Sequence, residues 1–181
     1  MRIISGLYRG KKLKLPNTQD IRPTQDRFKG SIFNMIEHHY KENLKDGMVL
    51  DLFAGAGSLG IECLSRGAKH VVFVDKSKEA LLLVKENVKS VSCLDKSTLI
   101  NADAKEVNLE KLGIQFSLVF LDPPYESDLI AESMQGLLKQ KVFTRGCIFV
   151  TESSKSVVLQ GLNLEISKTM GGHWLKIYKL L

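Results

Sequence analysis

From Gly47 onward, short and nearly unbroken apolar runs alternate with helical stretches, and no other feature of the chain constrains its fold as tightly. The apolar runs are residues 49–53, 71–75, 98–100, 118–121 and 147–150. Strands this uniformly apolar belong inside a parallel sheet covered on both faces, because an antiparallel sheet with one wet face alternates apolar with polar residues. Helical spacing occupies 58–66, 77–90 and 127–140, and Gly67 is placed to end the first of these. Strand–helix alternation of this kind predicts an α/β doubly wound sheet. Beyond residue 160 the pattern changes to two β-like runs, 162–169 and 174–180, around Gly171-Gly172. These predict a terminal antiparallel hairpin.

The first thirty residues read differently. Residues 2–5 and 11–15 flank Gly6 and Gly10 and suit a small β-hairpin, which Arg22-Pro23-Thr24 ends. Thr24 is placed to cap a helix carrying Phe28, Ile32, Met35 and Ile36 at helical spacing. Gly30 within it costs about 1 kcal/mol relative to alanine, so close packing or ligand contact is expected there. Charge is also concentrated here. Arg2, Arg9, Lys11, Lys12, Lys14, Arg22, Arg27 and Lys29 face only Asp20 and Asp26, so this segment holds the whole net charge of +6. Such a block fits either contact with a polyanion or a solvated basic arm.

With 181 residues and 44% hydrophobic content, one domain spanning 1–181 is expected, with 1–23 as its basic extension. No run of eighteen apolar residues or signal-like leader occurs, so a soluble, cytoplasmic protein with no membrane partner is expected. Cys63, Cys93 and Cys147 are scattered among apolar neighbours and read as buried free thiols. His38, His39, His70 and His173 have no ligand spacing with them, so no metal site is expected.

Directly after the first strand, residues 51–60 (Asp-Leu-Phe-Ala-Gly-Ala-Gly-Ser-Leu-Gly) place a G-x-G-x-x-G pattern at the start of a helix. Gly55 and Gly57 allow a sharp turn with backbone close to a ligand, and Gly60 allows tight helix–strand packing. Asp75 ends the second strand, where a carboxylate can accept from both hydroxyls of a ribose. A nicotinamide dinucleotide and S-adenosylmethionine share that ribose, so these residues alone do not separate them. Asp51, inside the strand end, favours the cationic, amino-bearing end of S-adenosylmethionine and disfavours a pyrophosphate. Asp103 ends the third strand, where its side chain can take the adenine amino group while the Ala104 amide donates to the ring. Phe53 lies within the same loop.

After the fourth strand comes Asp122-Pro123-Pro124-Tyr125, at the carboxyl edge where such sheets keep their ligands. The amino group of a nucleobase is a poor nucleophile because its lone pair is delocalised into the ring. The Asp122 carboxylate and the Pro123 carbonyl can each take one N–H and aim the lone pair at a methyl donor. The prolines stiffen the loop, and Tyr125 offers a face on which an unstacked base can lie. Amino-group methylation on a nucleic acid is the expected chemistry. A nicotinamide-dependent oxidoreductase accounts for the glycines but not for this quartet, and a non-catalytic RNA-binding module leaves the quartet without a role.

Met1-Arg2-Ile3-Ile4-Ser5-Gly6, Arg9-Gly10, Arg22-Pro23-Thr24, Asp26-Arg27, Phe33-Asn34, residues 51–60, Leu64-Ser65-Arg66-Gly67-Ala68 and residues 122–125 together resemble the bacterial RsmD family. Members of that family methylate N2 of guanine 966 in 16S ribosomal RNA. The resemblance implies a Rossmann-like class I methyltransferase with a mostly parallel seven-stranded sheet, acting on 16S ribosomal RNA or the assembling small subunit; a monomer is expected. It assigns Asp51, Gly55, Gly57, Asp75 and Asp103 to S-adenosylmethionine and Asp122, Pro123, Pro124 and Tyr125 to catalysis, and Phe53 and Ala104 are expected beside them in the cofactor site. Arg9, Lys11, Lys12, Lys14, Arg22 and Arg27 would face RNA. Adenine-N6 methylation of DNA or RNA uses the same chemistry and stays open on the residues alone. Met170-Gly171-Gly172-His173-Trp174 departs from the family's usual aromatic-Gly-polar wording, and Trp174 is expected to serve as hairpin core.

Overall fold

The alternation of apolar runs resolves, in a computed structural model, into one seven-stranded sheet ordered β3-β2-β1-β4-β5-β7-β6. Residues 1–16, 24–123 and 127–181 are described, apart from the side chains of 24–28 and 127. In chain order the elements are α1 (Thr24–His39), α2 (Lys41–Leu44), β1 (Met48–Asp51), α3 (Ser58–Ser65), β2 (His70–Asp75), α4 (Lys78–Ser90) and β3 (Ser97–Asn101). Then follow β4 (Phe116–Leu121), α5 (Ser127–Leu137), β5 (Phe143–Ser153), β6 (Asn163–Met170) and β7 (His173–Lys179). Strands β1 to β5 run parallel, β7 joins β5 antiparallel, and β6 pairs with β7 through the Gly171-Gly172 turn. This is the doubly wound, Rossmann-like fold with its terminal hairpin.

Strand alternation sends side chains to two cores. Val49, Val71, Phe73, Leu118, Phe120, Ile148, Val150, Leu175 and Ile177 pack under α1, α3, α4 and the N-terminal residues Ile3 and Leu13. Leu50, Val72, Val119, Leu121, Phe149 and Tyr178 pack on the other face under α5. Gly60 is required where α3 crosses the sheet: a Cβ there would sit 2.3 Å from Cε1 of Phe73. Among the described residues Gly30 has no such explanation, since a Cβ would meet only Cδ1 of Ile4 at 3.9 Å, an ordinary contact. Packing against the described residues therefore does not account for that glycine.

The N-terminal hairpin is short but built in. Arg2 and Lys12 form its one β-bridge, and the amide of Gly10 donates to Ile3 O at 2.9 Å. It is fastened to α3 by Glu62, a fully buried carboxylate that accepts from the amides of Ile4 at 2.8 Å and Ser5 at 2.9 Å. Lys29 of α1 lies 3.5 Å from the same carboxylate and Arg66 2.9 Å from it, so opposite charge offsets the cost of burying it. Lys29 is 3% exposed. It belongs to this buried hub, and part of the terminal charge excess is thus turned inward rather than toward a polyanion.

The cysteines are free and buried. Trp174 corrects an expectation: it joins neither core, is half-buried, and has the Lys176 ammonium 5.6 Å from its ring centre. No described helix is long and apolar enough to cross a membrane.

Candidate active site

Sheet order reverses between β1 and β4, and the crevice outside the carboxyl ends of these strands is where open α/β sheets bind ligands. The loop leaving β1 turns back at once: Gly57 donates to Ala54 O at 2.7 Å and starts α3 with φ +78°, which a side chain would strain. Gly55 also has positive φ, +53°. Because Gly57 has no side chain with which to cap α3, an orphan amide of its first turn is satisfied from the sheet. The Asp51 carboxylate accepts from Gly60 N at 3.0 Å. Asp75 holds the loop from the other side, accepting from Gly55 N and from Ser77 N, each at 2.8 Å. Each oxygen keeps a further lone pair for a ligand hydroxyl.

Asp51 is 2% exposed, and burial pushes its carboxyl up to about 7 against the lowering effect of the Gly60 amide; the negative charges of Asp122 and Asp75 add to the rise. Asp122, one residue past β4, opens to solvent, yet the protein around it pushes its carboxyl up to about 6. The glycine loop is thus bordered by carboxylates that feel one another. Such a surface attracts a cationic ligand and repels a pyrophosphate. At the end of β3, half-buried Asp103 accepts from Lys105 N at 2.9 Å, and Ala104 beside it is buried. Phe53 is half-buried against the second core. Buried Pro123 follows Asp122, while Pro124 and Tyr125 lie outside the described residues.

The basic residues are placed less simply. Leu7 N donates to Ser65 O at 2.7 Å, and Lys11 Nζ donates to Ser90 O at 3.1 Å, so the hairpin tip sits at the C-terminal ends of α3 and α4. Those helices leave the carboxyl edge of the sheet and return to its amino edge. Exposed Arg9, Lys11 and Lys12 therefore lie toward the end opposite Asp122, a separation of roughly 10–20 Å at about 1.5 Å per helical residue. Lys14 is nearer the loop and pairs with Glu86 at 3.1 Å. Arg22 and the Arg27 side chain lie outside the described residues.

The sequence and the fold both have known counterparts. The profile of a family described as conserved hypothetical protein 95 matches residues 1–179. The chain is 33% identical over 157 residues to ribosomal RNA small subunit methyltransferase D of Haemophilus influenzae, covering 86% of this chain and 79% of that one. The chain belongs to the RsmD family. YlbH of Bacillus subtilis is 36% identical over 161 residues, covering 88% of this chain and 85% of that one. The solved structure of Escherichia coli yhhF matches with a TM-score of 0.83 at 26% identity, over 99% of this chain and 97% of that one. By fold and family this RsmD chain is a methyltransferase.

Two residues beside the candidate site were not evident in the sequence. Asn87, 1% exposed on α4, donates to Ala56 O at 2.9 Å and exchanges hydrogen bonds with the backbone of Lys14 at 2.8 and 3.0 Å. It thereby ties the N-terminal segment to the glycine loop. Nothing in the sequence singles out an asparagine in mid-helix. Glu152, at the end of β5, has its carboxyl pushed up to about 8 by burial and then by the charge of Asp122. Its separation in sequence from every motif hides it.

Proposed function

We propose that the chain transfers a methyl group from S-adenosylmethionine to the exocyclic N2 of a guanine in 16S ribosomal RNA, at the position equivalent to guanine 966. The observation that carries this reading is the place of Asp122-Pro123: the carboxyl end of β4, beside the carboxylate-bordered glycine loop, where the sheet order reverses. When bound, S-adenosylmethionine supplies an electrophilic methyl group. Asp51 offers negative charge to the cofactor's amino-bearing end, Asp75 accepts from its ribose, Asp103 and Ala104 receive its adenine, and Phe53, Gly55 and Gly57 shape the loop around it. Asp122 and the Pro123 carbonyl hold the two N–H bonds of the guanine amino group and direct its lone pair, and Asp122 takes the proton released after transfer. Pro124 and Tyr125 are assigned to the target base from the sequence motif alone.

Relatives named as small-subunit ribosomal RNA methyltransferases support ribosomal RNA as the substrate. The exposed Arg9, Lys11 and Lys12, with Lys14, supply phosphate contacts on the α3/α4 side of the crevice, and Arg22 and Arg27 are assigned to RNA from the sequence alone. Because Arg9, Lys11 and Lys12 lie at the far end of α3 and α4, RNA reaches across that face, which suits a structured substrate better than a single strand. A dinucleotide cofactor is disfavoured by the carboxylates around the loop. The test is transfer of labelled methyl to 16S ribosomal RNA, naked or in small subunits, from cells lacking the modification. Absence of label with cofactor binding demonstrated would overturn the reading.

A further inference from the structure

Leu121 of β4 pairs in parallel register with Thr151 of β5. Asp122 and Glu152 are each the next residue along, on adjacent strands spaced about 5 Å apart. Alternation puts both on the face occupied by Phe120 and Val150, the face on which α3 and the glycine loop lie. Behind Glu152 stands Leu175 of β7, its antiparallel partner, and Nδ1 of His173 lies 3.7 Å from its Oε1. That is too long for a hydrogen bond. The Glu152 side chain is 24% exposed and accepts no hydrogen bond from a described residue. Its predecessors on this face of the strand, Ile148 and Val150, are apolar. A carboxyl kept here, mostly buried beside a second carboxyl, costs stability, and a strand end with only structural duties has no need of it.

The chemistry of the proposed substrate supplies a use. On guanine, the amino group at N2 and the adjacent N1–H form a continuous row of donors. On adenine, the atom beside the amino group is a ring nitrogen with a lone pair. An acceptor next to Asp122 therefore meets a donor on guanine and another acceptor on adenine. We propose that Glu152 is the specificity-determining residue of this site: its carboxylate accepts the N1–H of the target guanine while Asp122 and Pro123 hold N2. This rests on the guanine-N2 reading. His173, at the start of β7, flanks the carboxylate on the side away from Asp122 and limits its movement, giving a role to part of the Met170–Trp174 segment.

The test uses full-length enzyme and 16S ribosomal RNA carrying, at the target position, either guanine or 2-aminopurine, which keeps the amino group but has a lone pair at N1. Wild-type enzyme should methylate guanine with a kcat/KM about 100-fold above 2-aminopurine, the size expected for one hydrogen bond to a charged group. In Glu152→Ala the guanine rate should fall and the ratio should collapse to within about 5-fold. A residue with only a structural role would lower both substrates together and leave the ratio intact. Glu152→Gln, closest in shape, provides a second measurement should the alanine variant fold poorly, and should also lower the ratio. An unchanged ratio in a variant that binds cofactor normally would overturn the role of Glu152. Failure of the wild-type enzyme to methylate guanine at all would instead overturn the underlying reading.

Discussion

Replacing Asp51 with asparagine should make the ligand-free protein more stable at alkaline pH while weakening its hold on S-adenosylmethionine. Asp51 is buried, and its carboxyl stands at about 7 in place of 3.8. A group whose folded pKa is raised supports folding below its unfolded pKa, and that support is lost as pH rises through the folded value. The window here runs from about pH 4 to about pH 7. A rise of this size, at a little over 1 kcal/mol per pH unit, amounts to about 4 kcal/mol lost by pH 8. The asparagine side chain in the variant would carry no charge and would still offer an oxygen to Gly60 N, so most of that loss should not occur.

Thermal melts of both proteins at pH 4.5, 6 and 8 measure the difference. At about 2–4 °C per kcal/mol for a chain of this size, the Asp51→Asn variant should melt roughly 5–15 °C above wild type at pH 8, with the gap shrinking toward pH 4. Titration calorimetry should show cofactor affinity reduced about 10-fold or more, the loss of one charge-assisted contact. A variant no more stable than wild type at pH 8 would mean that Asp51 is not held at a cost. One that binds S-adenosylmethionine unchanged would mean that the Asp51 charge does not face the ligand.

Other outcomes follow from the same geometry. Glu62→Ala removes the acceptor shared by Ile4, Ser5, Lys29 and Arg66 and should cost about 3–5 kcal/mol in urea unfolding, with amide exchange at Ile4 and Ser5 accelerated; exchange unchanged there would show that the hairpin is held by other contacts. Replacing Arg9, Lys11 and Lys12 together should raise KM for RNA and flatten its salt dependence by about three charges, with kcat and cofactor affinity unchanged; reduced cofactor affinity would count against an RNA role. Asp122 and Glu152 stand at about 6 and about 8 and accept N–H groups best when ionised, so kcat/KM should climb between pH 6 and pH 8. In Asp122→Asn the part of that climb near pH 6 should disappear along with at least about 100-fold of the rate; a pH profile unchanged in shape would remove Asp122 from the chemistry.

The fold was legible because strands buried on both faces leave a signal that needs no partner: an apolar run is apolar whichever strand lies beside it. Their order was not legible, since nothing in residues 48–51 says that β1 lies between β2 and β4. Strand β5 extends from Phe143 to Ser153, well beyond the apolar run at 147–150, because its ends are held by pairing to β4 and β7 rather than by burial alone. At the site, residues carried by contiguous motifs, Asp51 to Gly60 and Asp122-Pro123, could be read directly. Glu152 could not, because Thr151-Glu152-Ser153 looks like any polar strand end until register places it next to Asp122. Lys29 misled for a related reason: charge counted along a chain does not reveal which cations turn inward to a buried carboxylate such as Glu62.

Everything proposed for this site turns on Asp122 presenting a guanine amino group of ribosomal RNA for methylation. Mass-spectrometric mapping addresses it without intermediaries: 16S ribosomal RNA from cells lacking the modification is incubated with S-adenosylmethionine and either wild-type protein or Asp122→Ala. The wild type should form one N2-methylguanine, at the position equivalent to guanine 966, and the variant should form none. Methyl on an adenine, methyl on no ribosomal nucleotide, or equal methylation by Asp122→Ala would overturn that assignment.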